Sequence, residues 1–367
     1  MFVFVCAGCG TDLTAPLSRV ELPAHAHQKY GNGLQLPVLM EPGTFAVDPE
    51  PWGPPWRRWE EIDPAEAEAR GVYAPVFHLS DGLPGAVVIA PGDVRGTRLI
   101  PDRADGYCCG LDGADGPNLA CEGCGLPVAS RIDDCSLWQA VWLAPDAVRR
   151  VPVGGADPVP LSWAEVLDEG KDLAPFEPVA MWGARRGVEH FWSWSPRWEP
   201  AAGRALAHLL AASEGRPVAV PDGLSGQVFQ RALDAMLPAG APPLRAVPAG
   251  PGRPVPAAGA DILLVPTHPQ TGEMWRPEGA GGAAPRVPLP FGMWLRLAFP
   301  RSHLPVPASG GLPAGVLRDD PPAPRPGRFR ADENAFQRTL VRLPVVRSPW
   351  VREALDRLAR RPPGSIF

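Results

Sequence analysis

The pattern Cys-x-Gly-Cys-Gly occurs twice, as Cys6-Ala7-Gly8-Cys9-Gly10 and as Cys121-Glu122-Gly123-Cys124-Gly125. A Cys-x-x-Cys turn presents two thiols on one side of a tight loop, with amide N–H groups placed to spread their charge. The residue after the second cysteine needs positive φ, which glycine adopts at no steric cost. Gly10 and Gly125 stand at that position. Two such half-sites make a tetrahedron of four soft ligands, and closing it holds the start of the chain against a segment remote in sequence. No other feature constrains the fold as much.

Each copy resembles a zinc knuckle, one half of a zinc ribbon, although the resemblance extends little beyond the knuckles themselves. It implies a structural Zn2+ held by Cys6, Cys9, Cys121 and Cys124. Other ligand sets stay open: a local site from Cys109, Cys121, Cys124 and Cys135, or no metal at all. The paired set is preferred because its halves share a pattern, whereas Cys108-Cys109-Gly110 is no Cys-x-x-Cys turn. Outside the site, Cys108, Cys109 and Cys135 read as small buried hydrophobes. Disulfides are disfavoured, since the seven cysteines are an odd number and nothing points to export.

A chain of 367 residues, 45% of them hydrophobic, has material for two or three domains and a real core. Its 50 prolines and 40 glycines imply compact modules joined by stiff loops. A net charge of −5 argues against a nucleic-acid binder, which needs a basic face. Only the tail, with Arg325, Arg328, Arg330, Arg338 and Arg342, offers a basic patch. No apolar run reaches the ~18 residues of a membrane helix. The start lacks the charged and apolar regions of a signal peptide, so a cytoplasmic location is expected.

The fold class expected is α+β: a β-rich domain over residues 1–152, a smaller α/β domain over 153–304, and a Pro/Arg-rich linker with terminal helices over 305–367. In the first part, strands are expected at residues 2–5 and 17–22. His25 and His27 read as a surface loop, and Trp52, Trp56 and Trp59 as an arm packed on its own domain. Asp63-Pro64 opens a helix. Residues 86–90 and 97–100 read as a strand pair about the turn Pro91-Gly92-Asp93. The Asp112 to Asn118 stretch reads as turns, since it lacks the spacing of a calcium loop. Residues 137–143 read as a buried strand, followed by a turn of helix at 145–149.

Beyond residue 152, Ser162 and Glu165 form a capping box. Helices are expected at residues 201–213 and 225–237, with strands at 217–220, 261–265 and 293–299. The glycines of 279–282 do not make a phosphate loop. Residues 305–330 read as an extended linker, after which Asp332 and Ser348-Pro349 start two helices. The second carries the apolar stripe Trp350, Val351, Ala354, Leu355 and Leu358, expected to dock on its own domain and alternatively to bind a protein partner.

A site closed by four cysteines has no open position for water, so a binding or scaffolding protein is expected rather than an enzyme. One alternative is a small-ligand protein or enzyme with a pocket near His268 and Glu273, or at the Trp192/Trp194 surface beside Arg185 and Arg186. A second is a nucleic-acid-associated protein that uses the zinc module for docking. No nucleophile–base set or dinucleotide fingerprint is present.

Overall fold

The computed structural model describes the chain except residues 31–32, 104–105, 107, 109, 155–158, 184–186, 241, 257–258, 278–283, 301–326 and 362–365, and except the side chains of 181–192. The chain is mixed α+β, sheet-rich in its first part and more helical later.

The first part contains β1 (Phe2–Cys6), β2 (Ser18–Arg19), β3 (Leu34–Gln35), β4 (Thr44–Val47), β5 (Trp56–Arg58) and β6 (His78–Ser80). It continues with β7 (Val87–Ile89), β8 (Thr97–Leu99), β9 (Leu119–Cys121), β10 (Pro127–Ile132), β11 (Ala140–Leu143) and β12 (Val148–Pro152). One helix, α1 (Pro64–Ala69), lies among them, capped by Asp63 as its Asp-Pro start predicts.

Seven of these strands form one sheet, in the order β2-β4-β7-β11-β10-β9-β8. Its inner strands β7 and β11 are apolar at every position, because both faces are covered. Phe45, Val87, Ile89, Val141 and Leu143 point to one face, against Phe2, Phe4, Leu13 and Leu17. The alternate residues Ala46, Val88, Ala140 and Trp142 point to the other, against Leu34, Leu36 and Met40. The antiparallel ribbon of β1 and β12 thus lies over the sheet and carries Cys6 to its end.

Three local expectations in this part are corrected. β7 and β8 do not pair with each other: β7 lies between β4 and β11, and β8 pairs with β9. Residues 145–149 do not make a turn of helix; β12 begins at Val148, drawn into register with β1. The strand expected at 17–22 shrinks to Ser18–Arg19. All three errors concern long-range partners.

The second part begins with α2 (Trp163–Glu169), whose Ser162/Glu165 capping box is present. The hairpin of β13 (Phe176–Gly183) and β14 (Gly187–Trp194) follows, and β13 also pairs with β3 of the first part. Next come α3 (Trp198–Ser213), β15 (Val218–Ala219), α4 (Arg231–Met236), β16 (Leu244–Pro248), β17 (Ile262–Thr267), β18 (Arg286–Pro290) and α5 (Phe291–Ala298). The strands β15-β16-β17-β18 form a parallel sheet in that order, and β17 is buried throughout, as its apolar run predicts. The expected strand at 293–299 is instead α5. A short helix buried almost all round has the same apolar run as a buried strand. The true edge strand, β18, is rich in proline, which an edge tolerates because an edge N–H need not join the ladder.

The expected linker at 305–330 lies almost wholly outside the described residues. α6 (Glu333–Leu340), capped by Asp332, packs on α3, and α7 (Pro349–Ala359) packs on α4. Val351 and Ala354 of α7 are fully buried in the core around α3, with Trp350, Leu355 and Leu358 against it.

The crossing of α3 and α6 depends on Gly203, where a Cβ would meet the Asp332 carbonyl oxygen at 2.3 Å and the Phe336 amide nitrogen at 3.1 Å. Both obstacles are backbone. Helix propensity alone favours Gly203→Ala by about 1 kcal/mol, but forcing the helices apart costs about 1–3 kcal/mol. Urea denaturation of G203A should give a lower midpoint than wild type; a higher one would mean the helices are not in this contact.

Candidate metal centre

The two knuckles are built alike. In the first, the Cys6 amide donates to the Thr11 carbonyl (2.8 Å) and the Gly10 amide to the Cys6 carbonyl (2.9 Å). In the second, the Cys121 amide donates to the Leu126 carbonyl and the Gly125 amide to the Cys121 carbonyl, both at 2.8 Å. Gly10 and Gly125 have φ of 79° and 78°, the left-handed turn expected for each. Each knuckle is also tied to a neighbouring segment: the Ala7 amide to the Ala147 carbonyl and the Glu122 amide to the Gly96 carbonyl, both at 2.9 Å.

β1 and β9 end at the same place and bring the four sulfurs within 4.8 Å of one another. Cys6 Sγ lies 3.6 Å from Cys124 Sγ, and Cys9 Sγ 3.5 Å from Cys121 Sγ. Two metal–sulfur bonds of ~2.3 Å at the tetrahedral angle hold their sulfurs about 3.8 Å apart, so the cluster has the size of a metal site. Cys6 and Cys121 are fully buried, while Cys9 and Cys124 are exposed. A Cβ on Gly123 would sit 2.5 Å from Thr11 Oγ1 and 3.2 Å from Cys9 Sγ, so this glycine is needed for the two knuckles to meet. A Cβ on Gly8 would be in ordinary contact with Cys124 Sγ, at 3.5 Å.

The charges around the site also fit an ion. The Thr11 hydroxyl lies 3.2 Å from Cys9 Sγ and, with its backbone amide, lowers the Cys9 thiol to about 6. At Cys124 the Leu126 amide acts in the same direction, but the sulfurs of Cys9 and Cys6 outweigh it and push the thiol up to about 12. Four thiolates so close repel one another until a cation joins them. Arg149 and Arg98 stand beside the two turns, 4.0 and 3.8 Å from where side chains on Gly10 and Gly125 would begin. Nothing in the motif pointed to these arginines.

The local alternative does not assemble among the described residues: Cys121 and Cys124 face Cys6 and Cys9, and Cys135 lies beside Cys108. Cys109 falls outside the described residues. Cys108 is exposed and Cys135 half-buried, so the expectation of small buried hydrophobes fails for Cys108.

The histidine loop is corrected too. His25 is buried against Trp138, with ring centroids 4.3 Å apart, and its Nε2 has no hydrogen-bond partner among the described residues. Burial, aided by Arg197, pushes it down to about 3. His27 Nε2 lies 2.9 Å from Asp48 Oδ2, and its ring rests on Trp142, which stacks on Trp52 at 4.6 Å. Trp52 therefore packs as expected, whereas Trp56 is exposed. Asp48 and Trp142 are too remote in sequence for the His-x-His pattern to have announced them.

Around residue 268 the loop is held by its histidine. His268 Nε2 lies 2.9 Å from the Leu161 carbonyl oxygen, and Nδ1 accepts from the amides of Gln270 and Thr271 at 3.2 and 3.3 Å. Glu273 is exposed. The indole N–H of Trp194 donates to the Gly327 carbonyl at 2.8 Å. The side chains of Trp192, Arg185 and Arg186 lie outside the described residues. No family model, curated protein or solved structure matches the chain.

Two half-buried carboxylates lie where the first part of the chain meets the second. Glu21 accepts from the Thr267 hydroxyl at 2.8 Å, and Glu199 accepts from the Tyr30 hydroxyl. Burial pushes both up to about 7. A carboxyl raised in the folded state stabilises the fold below its unfolded value near 4.5, and that contribution is lost as pH rises through 7. His25 titrates in the opposite sense, so a difference measurement isolates the carboxyl. Relative to wild type, Glu199→Gln should gain on the order of 2 kcal/mol of stability between pH 5 and pH 8. Thermal melts across that range check this; parallel curves for the two proteins would contradict it.

Proposed function

We propose that the protein holds one structural Zn2+ through Cys6, Cys9, Cys121 and Cys124, and works as a cytoplasmic binding or scaffolding protein. What supports this reading is the convergence of four sulfurs from two knuckles of identical hydrogen bonding. The donor set is all sulfur, which favours zinc over magnesium or calcium. Four protein ligands fill the tetrahedron and leave no position for a water to be activated, so the ion would join segments rather than catalyse. A reducing compartment keeps such thiols available.

A small-ligand or enzymatic role near His268 and Glu273 has weaker support, because both ring nitrogens of His268 are engaged in holding their own loop. A nucleic-acid role is weakened by the net charge of −5.

Cys9→Ser and Cys124→Ser are the cleanest tests, because both thiols are exposed and their loss removes no buried volume. Each variant should lose one equivalent of zinc and about 3 kcal/mol or more of stability, part of the ~10–16 kcal/mol that structural zinc supplies to small metal-folded peptides. Metal analysis with chemical denaturation measures both. Variants that unfold at the wild-type midpoint but lose a zinc-dependent activity would overturn the structural role.

A further inference from the structure

We propose that Cys108, Asp134 and Cys135 form a second metal site, for a thiolate-preferring divalent ion of the zinc class. One sulfur from each cysteine and a carboxylate oxygen of Asp134 lie within 4.8 Å of one another. Cys108 Sγ and Cys135 Sγ are 3.4 Å apart, close to the 3.5 and 3.6 Å separations in the four-cysteine cluster. That is far longer than the ~2.05 Å of a disulfide and near the spacing of two sulfurs on one ion. The Gly33 amide points at Cys135 Sγ from 3.5 Å, the arrangement that spreads charge on a metal-bound thiolate.

The backbone prepares this meeting. At the end of β10, Asp133 and Leu111 exchange amide–carbonyl hydrogen bonds of 2.7 and 3.2 Å, which set the loop carrying Cys108 against the Asp134-Cys135 turn. The approach is so close that a Cβ on Gly110 would fall 1.8 Å from the Asp133 carbonyl oxygen. Only glycine fits there. The next residue after the pair, Ser136, holds φ at 67°, a conformation costly for a residue with a side chain. Its amide is fixed to the Leu34 carbonyl at 2.7 Å. The Cys135 amide donates to Asp134 Oδ1 at 2.8 Å, which orients the carboxylate.

Two thiolates and a carboxylate suit zinc and exclude calcium and magnesium, which take oxygen alone. Adjacent cysteines rarely bind the same ion, so Cys109 is not among the proposed ligands, and solvent would fill the fourth tetrahedral position. With one protein ligand fewer and Cys108 exposed, this ion should be the first removed by a chelator.

The test is the metal content of the reduced full-length chain equilibrated with free zinc. Two ions per chain are expected for wild type and for Cys109→Ser. One ion is expected for Cys108→Ser and Cys135→Ser. The Cys108 side chain is exposed and its loss removes no buried volume, so Cys108→Ser should lower the unfolding midpoint in free zinc and leave it unchanged in chelator. Cobalt substitution gives an independent readout: the ion missing from Cys108→Ser should show about half the sulfur-to-metal charge-transfer intensity of the other, two thiolates against four. One ion in wild type, two in Cys108→Ser, or loss of an ion in Cys109→Ser would each overturn the assignment. The outcome is separable from that at the four-cysteine cluster, because Cys9→Ser removes the other ion.

Discussion

The fold depends on bringing the end of β1 to the end of β9. Cys6 and Cys121 are separated by 121 − 6 = 115 positions, and a cross-link over such a loop removes about 4–5 kcal/mol of chain entropy from the unfolded state. The ion proposed here supplies that link. Once the ends meet, the β1–β12 ribbon is held over one face of the seven-stranded sheet, and the aromatic rings of Phe2 and Phe4 close on Phe45 at 5.8 and 5.0 Å. The metal-binding geometry and the apolar packing therefore reinforce each other.

The junction between the two parts of the chain is held differently, by buried polar groups. Tyr30 donates to Glu199, the Trp138 indole donates to Gln28 at 3.0 Å, and Thr267 donates to Glu21. Arg338 adds a partly buried pair with Glu50 at the other side of α6. Such groups tolerate burial only when partnered, so they fix one relative placement of the segments they join. The raised carboxyls of Glu21 and Glu199 also give the junction a pH dependence of its own.

Local chemistry was legible in the sequence. The two knuckles, their left-handed glycines and the caps of α1, α2 and α6 each follow from residues close together in the chain. Partners distant in sequence were not. Neither the pairing of β12 with β1 nor the place of β7 between β4 and β11 has a local signature. The apolar run at 293–299 fits a buried strand as well as a buried helix, and only Pro290 before it hinted at α5. His25 and His27 looked like surface residues because Trp138, Trp142 and Asp48, which bury them, lie elsewhere in the chain. The same reason hid the approach of Cys108 to Cys135.

The most direct test of the four-sulfur junction is the rate at which each cysteine of the metal-loaded chain is alkylated, before and after chelation. Cys9 and Cys124 are exposed, so only an ion protects them. The expected result is that both resist the reagent and become reactive together, with the same time course, when the chelator is added. Reaction of Cys9 at the rate of a free surface thiol while Cys124 stays protected would contradict the shared ion and separate the two ends of the loop.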